Sequence, residues 1–167
     1  MQRKSIFFLL AAFALAKTPV ATAQGMAAEE QRAADFLIGT WQCADTVGDY
    51  NGSYTITVTK ALDDRWLREL YQWHNPATPR ELSGEYFLSY DPRVKKWIRI
   101  GAMNDGMYFS MVGQHAGDDW TFGYALPGRG KAVYTKKSDA EYTVLGPSYQ
   151  ENGKLVTEHH GCHKSSQ

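Results

Sequence analysis

Tyr54-Thr55-Ile56-Thr57-Val58-Thr59 alternates an apolar side chain with a hydroxyl at every step. A period of two places Tyr54, Ile56 and Val58 on one face and the three threonines on the other, the pattern of a strand half buried and half wet. Outward from this stretch the same period recurs between turn residues spaced roughly 8–12 positions apart, the mark of an antiparallel sandwich or barrel. The spacing predicts ten strands, near 39–47, 52–61, 65–74, 83–90, 96–103, 107–112, 119–125, 131–137, 141–149 and 153–163. Their connections are mostly short and rich in Gly, Asp, Asn or Pro, so chain neighbours are expected to pair as hairpins. Asn75 to Arg80, with two prolines, is the one longer loop. A meander of ten strands has two exposed edges, and closing the sheet on itself removes both. The expected fold is all-β: a ten-stranded antiparallel up-and-down barrel.

Ahead of the strands, Ala27 to Leu37 is the one stretch with good helix formers throughout, acids at Glu29 and Glu30 near its start and Gly39 just past its close. Further upstream, Met1 to Lys4 is basic, Ser5 to Ala16 is apolar, and Ala21-Thr-Ala23 has the small-x-small form of a cleavage site. These are the three parts of a secretory leader, and the apolar run is shorter than the roughly 20 residues of a membrane helix. The expected organisation is a leader over 1–23, a lead and short helix over 24–37, and one barrel domain over 38–167. Lys and Arg number 18, as do Asp and Glu. Losing Arg3, Lys4 and Lys17 with the leader leaves a mildly acidic remainder, without the basic character that grips nucleic acid or anionic lipid. The chain has two cysteines, Cys43 and Cys162, in the first and last strands. In an exported chain such a pair is expected to be a disulfide, and a closed loop of about 120 residues gives it roughly 4–5 kcal/mol in the chain-entropy model.

Phe36-Leu-Ile-Gly-Thr-Trp-Gln-Cys43 resembles the entry to calycin barrels, where a short helix leads into Gly-x-Trp on the first strand. The chain resembles in particular a group of exported bacterial calycin-like proteins, related to lipocalins and fatty-acid-binding proteins, of unknown function. The matching pieces are Gly39-Thr-Trp41-x-Cys43, Arg65 to Tyr71, Ser83 to Asp91, the Lys136 to Tyr142 hairpin, and Thr157-Glu-x-x-x-Cys162. The resemblance implies structural roles for Gly39 and Trp41, with Trp41 closing one barrel end from within, and a Cys43–Cys162 bridge. Intracellular fatty-acid-binding proteins are similar in strand number but carry a helical lid for which Val47-Gly-Asp49 leaves no room. Nitrobindins are similar in the phrase Phe-Leu-x-Gly-Thr-Trp and in a C-terminal histidine. Their haem is therefore an open alternative, although the two later glycines of their motif stand here as Cys43 and Asp45.

The densest polar cluster is Thr157 to His163. Alternation puts Glu158 and His160 on the face of Cys162, which meets Cys43 on the face of Trp41. If Trp41 points inward, so do Glu158 and His160. A zinc site from His159, His160, Cys162 and His163 fails on spacing, because strand neighbours point apart and a disulfide consumes the thiolate. Pro127 to Lys131 lacks Walker spacing, and none of the serines outside the leader has the flanks of a nucleophile elbow. Asn51-Gly-Ser53 fits a glycosylation sequon without further support. In the third strand Arg68, Gln72 and His74 share one face with Trp66, while Leu67, Tyr71 and Trp73 fill the other, and alternation leaves open which is inner. Tyr86 and Tyr90 share a face of the fourth strand. Ten strands enclose more volume than the eight that already hold one small ligand. The expected function is an exported barrel binding a small hydrophobic or amphipathic molecule, anchored by Arg68, Gln72, Tyr86, Tyr90, Glu158 and His160. The alternatives are a lumenal acid/base enzyme of isomerase or hydratase type and a packed envelope interaction protein. No cofactor, nucleic acid or membrane span is expected, and a monomer and a dimer are both compatible with the sequence. For a carboxylate or phenolate ligand, His160 or Arg68 would be the counter-charge, with affinity falling as pH rises.

Overall fold

The computed structural model describes residues 20–47, 50–74, 81–125, 130–151 and 153–165. Within them an α-helix, α1 (Val20–Ala33), and a 3-10 turn (Asp35–Leu37) precede ten strands. These are β1 (Gly39–Val47), β2 (Tyr50–Ala61), β3 (Trp66–His74), β4 (Leu82–Asp91), β5 (Lys96–Met103), β6 (Tyr108–Ala116), β7 (Asp119–Tyr124), β8 (Lys131–Ser138), β9 (Glu141–Glu151) and β10 (Lys154–Lys164). Each strand pairs antiparallel with its chain neighbours, and β1 pairs with β10, so the sheet is a closed ten-stranded up-and-down barrel. The Asn75–Arg80 loop and the tips at 48–49 and 126–129 lie outside the described residues. No helix among the described residues is long and apolar enough to cross a membrane.

Closure rests on the β1–β10 register, in which Trp41 faces Lys164, Cys43 faces Cys162 and Asp45 faces His160. Cys43 and Cys162 are joined as a disulfide with their Cα atoms 4.1 Å apart. The Tyr54–Thr59 alternation is read out directly: Tyr54, Ile56 and Val58 are buried inside, while their threonine neighbours are more exposed.

Two features of the entry differ from expectation. The α-helix begins at Val20, upstream of the expected cut after Ala23, and ends at Ala33 instead of running to Leu37. The residues that hold the basic and apolar parts of the expected leader lie outside the described residues. The last helical turn tightens to a 3-10 turn because the chain must swing into β1 within a few residues. Gly39, at φ 131°, completes that swing in a conformation side chains rarely adopt. Strand β6 also runs on to Ala116, well past Val112, because its pairing with β7 continues to Asp119.

The helix covers one end of the barrel. Trp41 is fully buried there, donates its indole N–H to the Leu37 carbonyl at 2.6 Å, and packs edge-on against Phe36 and Tyr142. Glu30 reaches from α1 to accept a hydrogen bond from Trp97 Nε1 at 2.9 Å and lies 3.0 Å from His115 Nδ1. His115 stacks on Trp120, and its Nε2 meets the Gly117 carbonyl at 2.7 Å. Strands β1, β3, β5, β7 and β9 all end at the opposite end.

Two stability outcomes follow from this arrangement. Trp41→Ala empties the centre of the covered end and should cost about 3–5 kcal/mol, read from urea denaturation midpoints at constant slope. Reducing the disulfide releases a loop of 119 residues and should cost up to roughly 4–5 kcal/mol. A Cys43→Ser/Cys162→Ser variant with an unshifted midpoint would show that strand pairing alone holds the seam.

Candidate functional site

The inner face of the barrel does not fill its own volume. A cavity of about 470 Å³ runs from Phe36 and Leu37 under the helix to Met103, Met107 and Pro147 near the other end. Its walls are aromatic, with Tyr54, Tyr71, Tyr86, Phe109, Tyr124, Tyr134 and Tyr142 among the lining residues. Burial raises the tyrosine pKa values: Tyr86 is pushed up to about 12, and Tyr54, Tyr71, Tyr124, Tyr134 and Tyr142 also move upward, so all stay neutral at physiological pH. Each offers a ring face and a hydroxyl, a lining suited to a molecule that is mostly apolar with a few polar atoms.

Lys136 and two charged clusters interrupt this lining. The first is a buried ion pair between β3 and β5. Arg99 donates from Nη2 to Glu69 Oε2 at 2.6 Å and from Nε to the same oxygen at 3.1 Å. Its Nη1 donates to the Tyr134 hydroxyl at 3.2 Å, and its guanidinium carbon lies 4.4 Å from the centre of the Tyr86 ring. Burial alone would favour a neutral arginine, but the Glu69 carboxylate overrides it and holds Arg99 charged. The backbone makes room for this stack. Gly101 lies opposite Tyr86, and a Cβ there would strike the Tyr86 ring and the Glu85 carbonyl.

The second group lies between β1, β2 and β10. His160 Nδ1 is 3.0 Å from the Tyr54 hydroxyl and 3.4 Å from Asp45 Oδ1, while its Nε2 is 3.4 Å from Glu158 Oε2. One imidazole therefore has a carboxylate on each side. Burial raises the Asp45 pKa, the His160 charge opposes that rise, and Glu158 adds to it. Asp45 is 8% exposed, and its Oδ1 has no hydrogen-bond partner.

Of the residues expected to anchor a ligand, Tyr86, Glu158 and His160 line the cavity. Arg68, Gln72 and Tyr90 do not. Strand β3 turns Leu67, Glu69 and Tyr71 inward, so Arg68 and Gln72 are on the outer face, where Arg68 pairs with Glu85 at 2.7 Å. The cause is the pairing of β3 with β2, which sets Glu69 opposite the buried Val58 and Tyr71 opposite Ile56. Tyr90 points inward, but it packs on Trp97 at the helix-covered end, outside the cavity. Glu69, Arg99 and Asp45 were missed. Parity could have found two of them: Asp45 continues the face of Trp41 and Cys43, and Arg99 that of Trp97. Glu69 shares its face with Leu67 and Tyr71, the face left undecided.

No protein-family profile matches the chain, and no curated protein matches it. Among solved structures it is similar to one described as "EF1p2_mFAP2b bound to DFHBI", with 16% identity and a TM-score of 0.39 over 81% of this chain and 98% of that one. A likeness at this level says nothing of ligand or activity.

The buried pair generates a test of its own. Arg99→Met leaves Glu69 buried and uncompensated and should cost about 3–5 kcal/mol, whereas Arg99→Met/Glu69→Leu should recover most of that loss. Denaturation of both variants beside wild type measures the difference. A single variant as stable as wild type would mean that water already reaches the pair.

Proposed function

We propose that this chain is an exported calycin-like barrel that holds one small hydrophobic or amphipathic molecule in its lumen. The observation that carries the reading is the aromatic cavity of about 470 Å³, a volume within the usual range of small-molecule sites, with few charged side chains on its wall. A barrel serving only as an envelope interaction partner would be expected to fill that space with side chains. Export is supported by the Cys43–Cys162 disulfide, a bond that persists in oxidising compartments, and by the leader-like sequence before Gln24. Tyr86, Glu158 and His160 are the anchoring residues retained from the sequence, with Arg99 and Tyr134 added. No cofactor enters the proposal. A second reading, acid/base catalysis in the lumen, draws on His160 lying between Asp45 and Glu158 beside Tyr54.

Native mass spectrometry of protein purified from its own host should show a retained mass that denaturation releases. A polarity-sensitive dye such as anilinonaphthalene sulfonate should bind the emptied protein with saturation at one equivalent. Val144→Phe places a larger ring on the cavity wall and should weaken dye binding at least tenfold while shifting the thermal midpoint by only a few degrees. Equal dye affinity in wild type and Val144→Phe would place binding outside the lumen. Conversion of a retained ligand into a new mass would favour the catalytic reading.

A further inference from the structure

The charges where β10 meets β1 do not balance: Glu158 and His160 line the cavity there, with Asp45 behind them. Two cations line the cavity, Arg99 and Lys136, and each already has a carboxylate partner. Arg99 is held by Glu69, and Lys136 Nζ lies 2.6 Å from Asp139. Asp45 and Glu158, in contrast, share one imidazole, and among the described residues neither is paired with a lysine or arginine. With His160 neutral the group carries two negative charges, and with His160 protonated it still carries one. Asp45 Oδ1 has His160 Nδ1 at 3.4 Å and no hydrogen bond, so this buried carboxylate oxygen is only weakly satisfied by the imidazole it shares with Glu158. Around Glu158 the wall is aromatic: its charge acts on the Tyr71, Tyr124 and Tyr134 hydroxyls. Tyrosine ring faces favour a cation, as carboxylates do.

We propose, on the basis of the lumenal binding read above, that the polar end of the ligand is a nitrogen cation, such as a protonated amine, held by Glu158 in the field of Asp45. An aromatic or aliphatic body then lies along the tyrosine wall. An anionic head group would meet two carboxylates at this cluster and would have to displace Glu69 to reach Arg99. The sign of the pH dependence follows. The groups facing Asp45 and Glu158 are Tyr54 from β2, Tyr71 from β3, Tyr124 from β7, Tyr134 from β8 and His160 from β10, with the Arg99–Glu69 pair beyond. Acidification makes the cluster less negative while an amine stays charged, so affinity falls as pH falls. This is opposite in direction to what an anion held by His160 would show.

The test is a matched series of probes, naphthylethylamine, naphthylethanol and naphthylpropionate, titrated by calorimetry into ligand-free wild-type protein. The amine should bind roughly tenfold or more tighter than the alcohol, with the carboxylate weakest, as hydrogen bonds to charged groups allow. Glu158→Gln should remove most of the preference for amine over alcohol. Glu158 is partly exposed, so this variant is expected to fold. The wild-type order alone decides the matter if it does not. An alcohol or carboxylate that binds as tightly as the amine, or an amine preference untouched by Glu158→Gln, overturns the cation proposal and leaves lumenal binding standing. Failure of the alcohol as well as the amine to bind overturns both.

Discussion

Cys43 and Cys162 sit directly opposite each other in neighbouring strands, so the first and last strands of the meander are held in a single register. In a sheet, register determines parity, and parity decides which side chain of each pair enters the lumen. With Trp41 inside, Cys43 and Asp45 follow on β1, and Cys162, His160 and Glu158 follow on β10. The seam that removes the two sheet edges is therefore also the wall that carries the acidic cluster. A slip of one residue there would turn His159 and His163 inward and send His160 out. The bridge joins strands that are the most distant in sequence, where loop-closure entropy opposes pairing most strongly.

Stability alone gives no reason for charge inside this barrel. Two hydrophobic residues of similar volume commonly serve as well as a buried ion pair or better. Yet Arg99 and Glu69 are desolvated, and the space beside them stays open, where a packed core would have filled it. The tyrosines show the same compromise in milder form. Each covers wall area with an apolar ring while keeping a hydroxyl available, at a smaller desolvation cost than a charge. A lumen lined this way suits a molecule with one polar end better than it suits a solid core.

The fold was legible in the sequence because its information lies in turns and periods. Tyr54 to Thr59 declares its buried face unaided, and the two cysteines at the ends of the strand series point to closure. The lumen was only partly legible. On β10 the partner cysteine supplies a parity reference, so Glu158 and His160 could be placed. On β3 no reference exists within the strand: Trp66 stands on one face, Leu67, Tyr71 and Trp73 on the other, and hydrophobicity cannot choose between them. The choice is made by β2, through Val58 opposite Glu69. Tyr90 shows a different gap. Its parity is inward, but which layer of the barrel it occupies depends on how far the helix reaches in, and strand periodicity carries no information about depth.

These two kinds of ambiguity bear unequally on chemistry. Misplacing Tyr90 by a layer exchanges one neutral ring for another. Mistaking the parity of β3 exchanges Glu69 for Arg68 and leaves Arg99 without its carboxylate, which reverses the sign of the lumen from acidic to basic. The character of the site thus depends on a pairing that contains no site residue from β2 beyond Tyr54. Burying Ile56 and Val58 sets the β2–β3 register, that register brings Glu69 inward, and Glu69 takes up the charge of Arg99. Only then do Asp45 and Glu158 dominate what remains of the field. A hydrophobic preference at two positions on one strand is converted, through hydrogen-bonded pairing, into the electrostatic sign of a cavity wall several strands away.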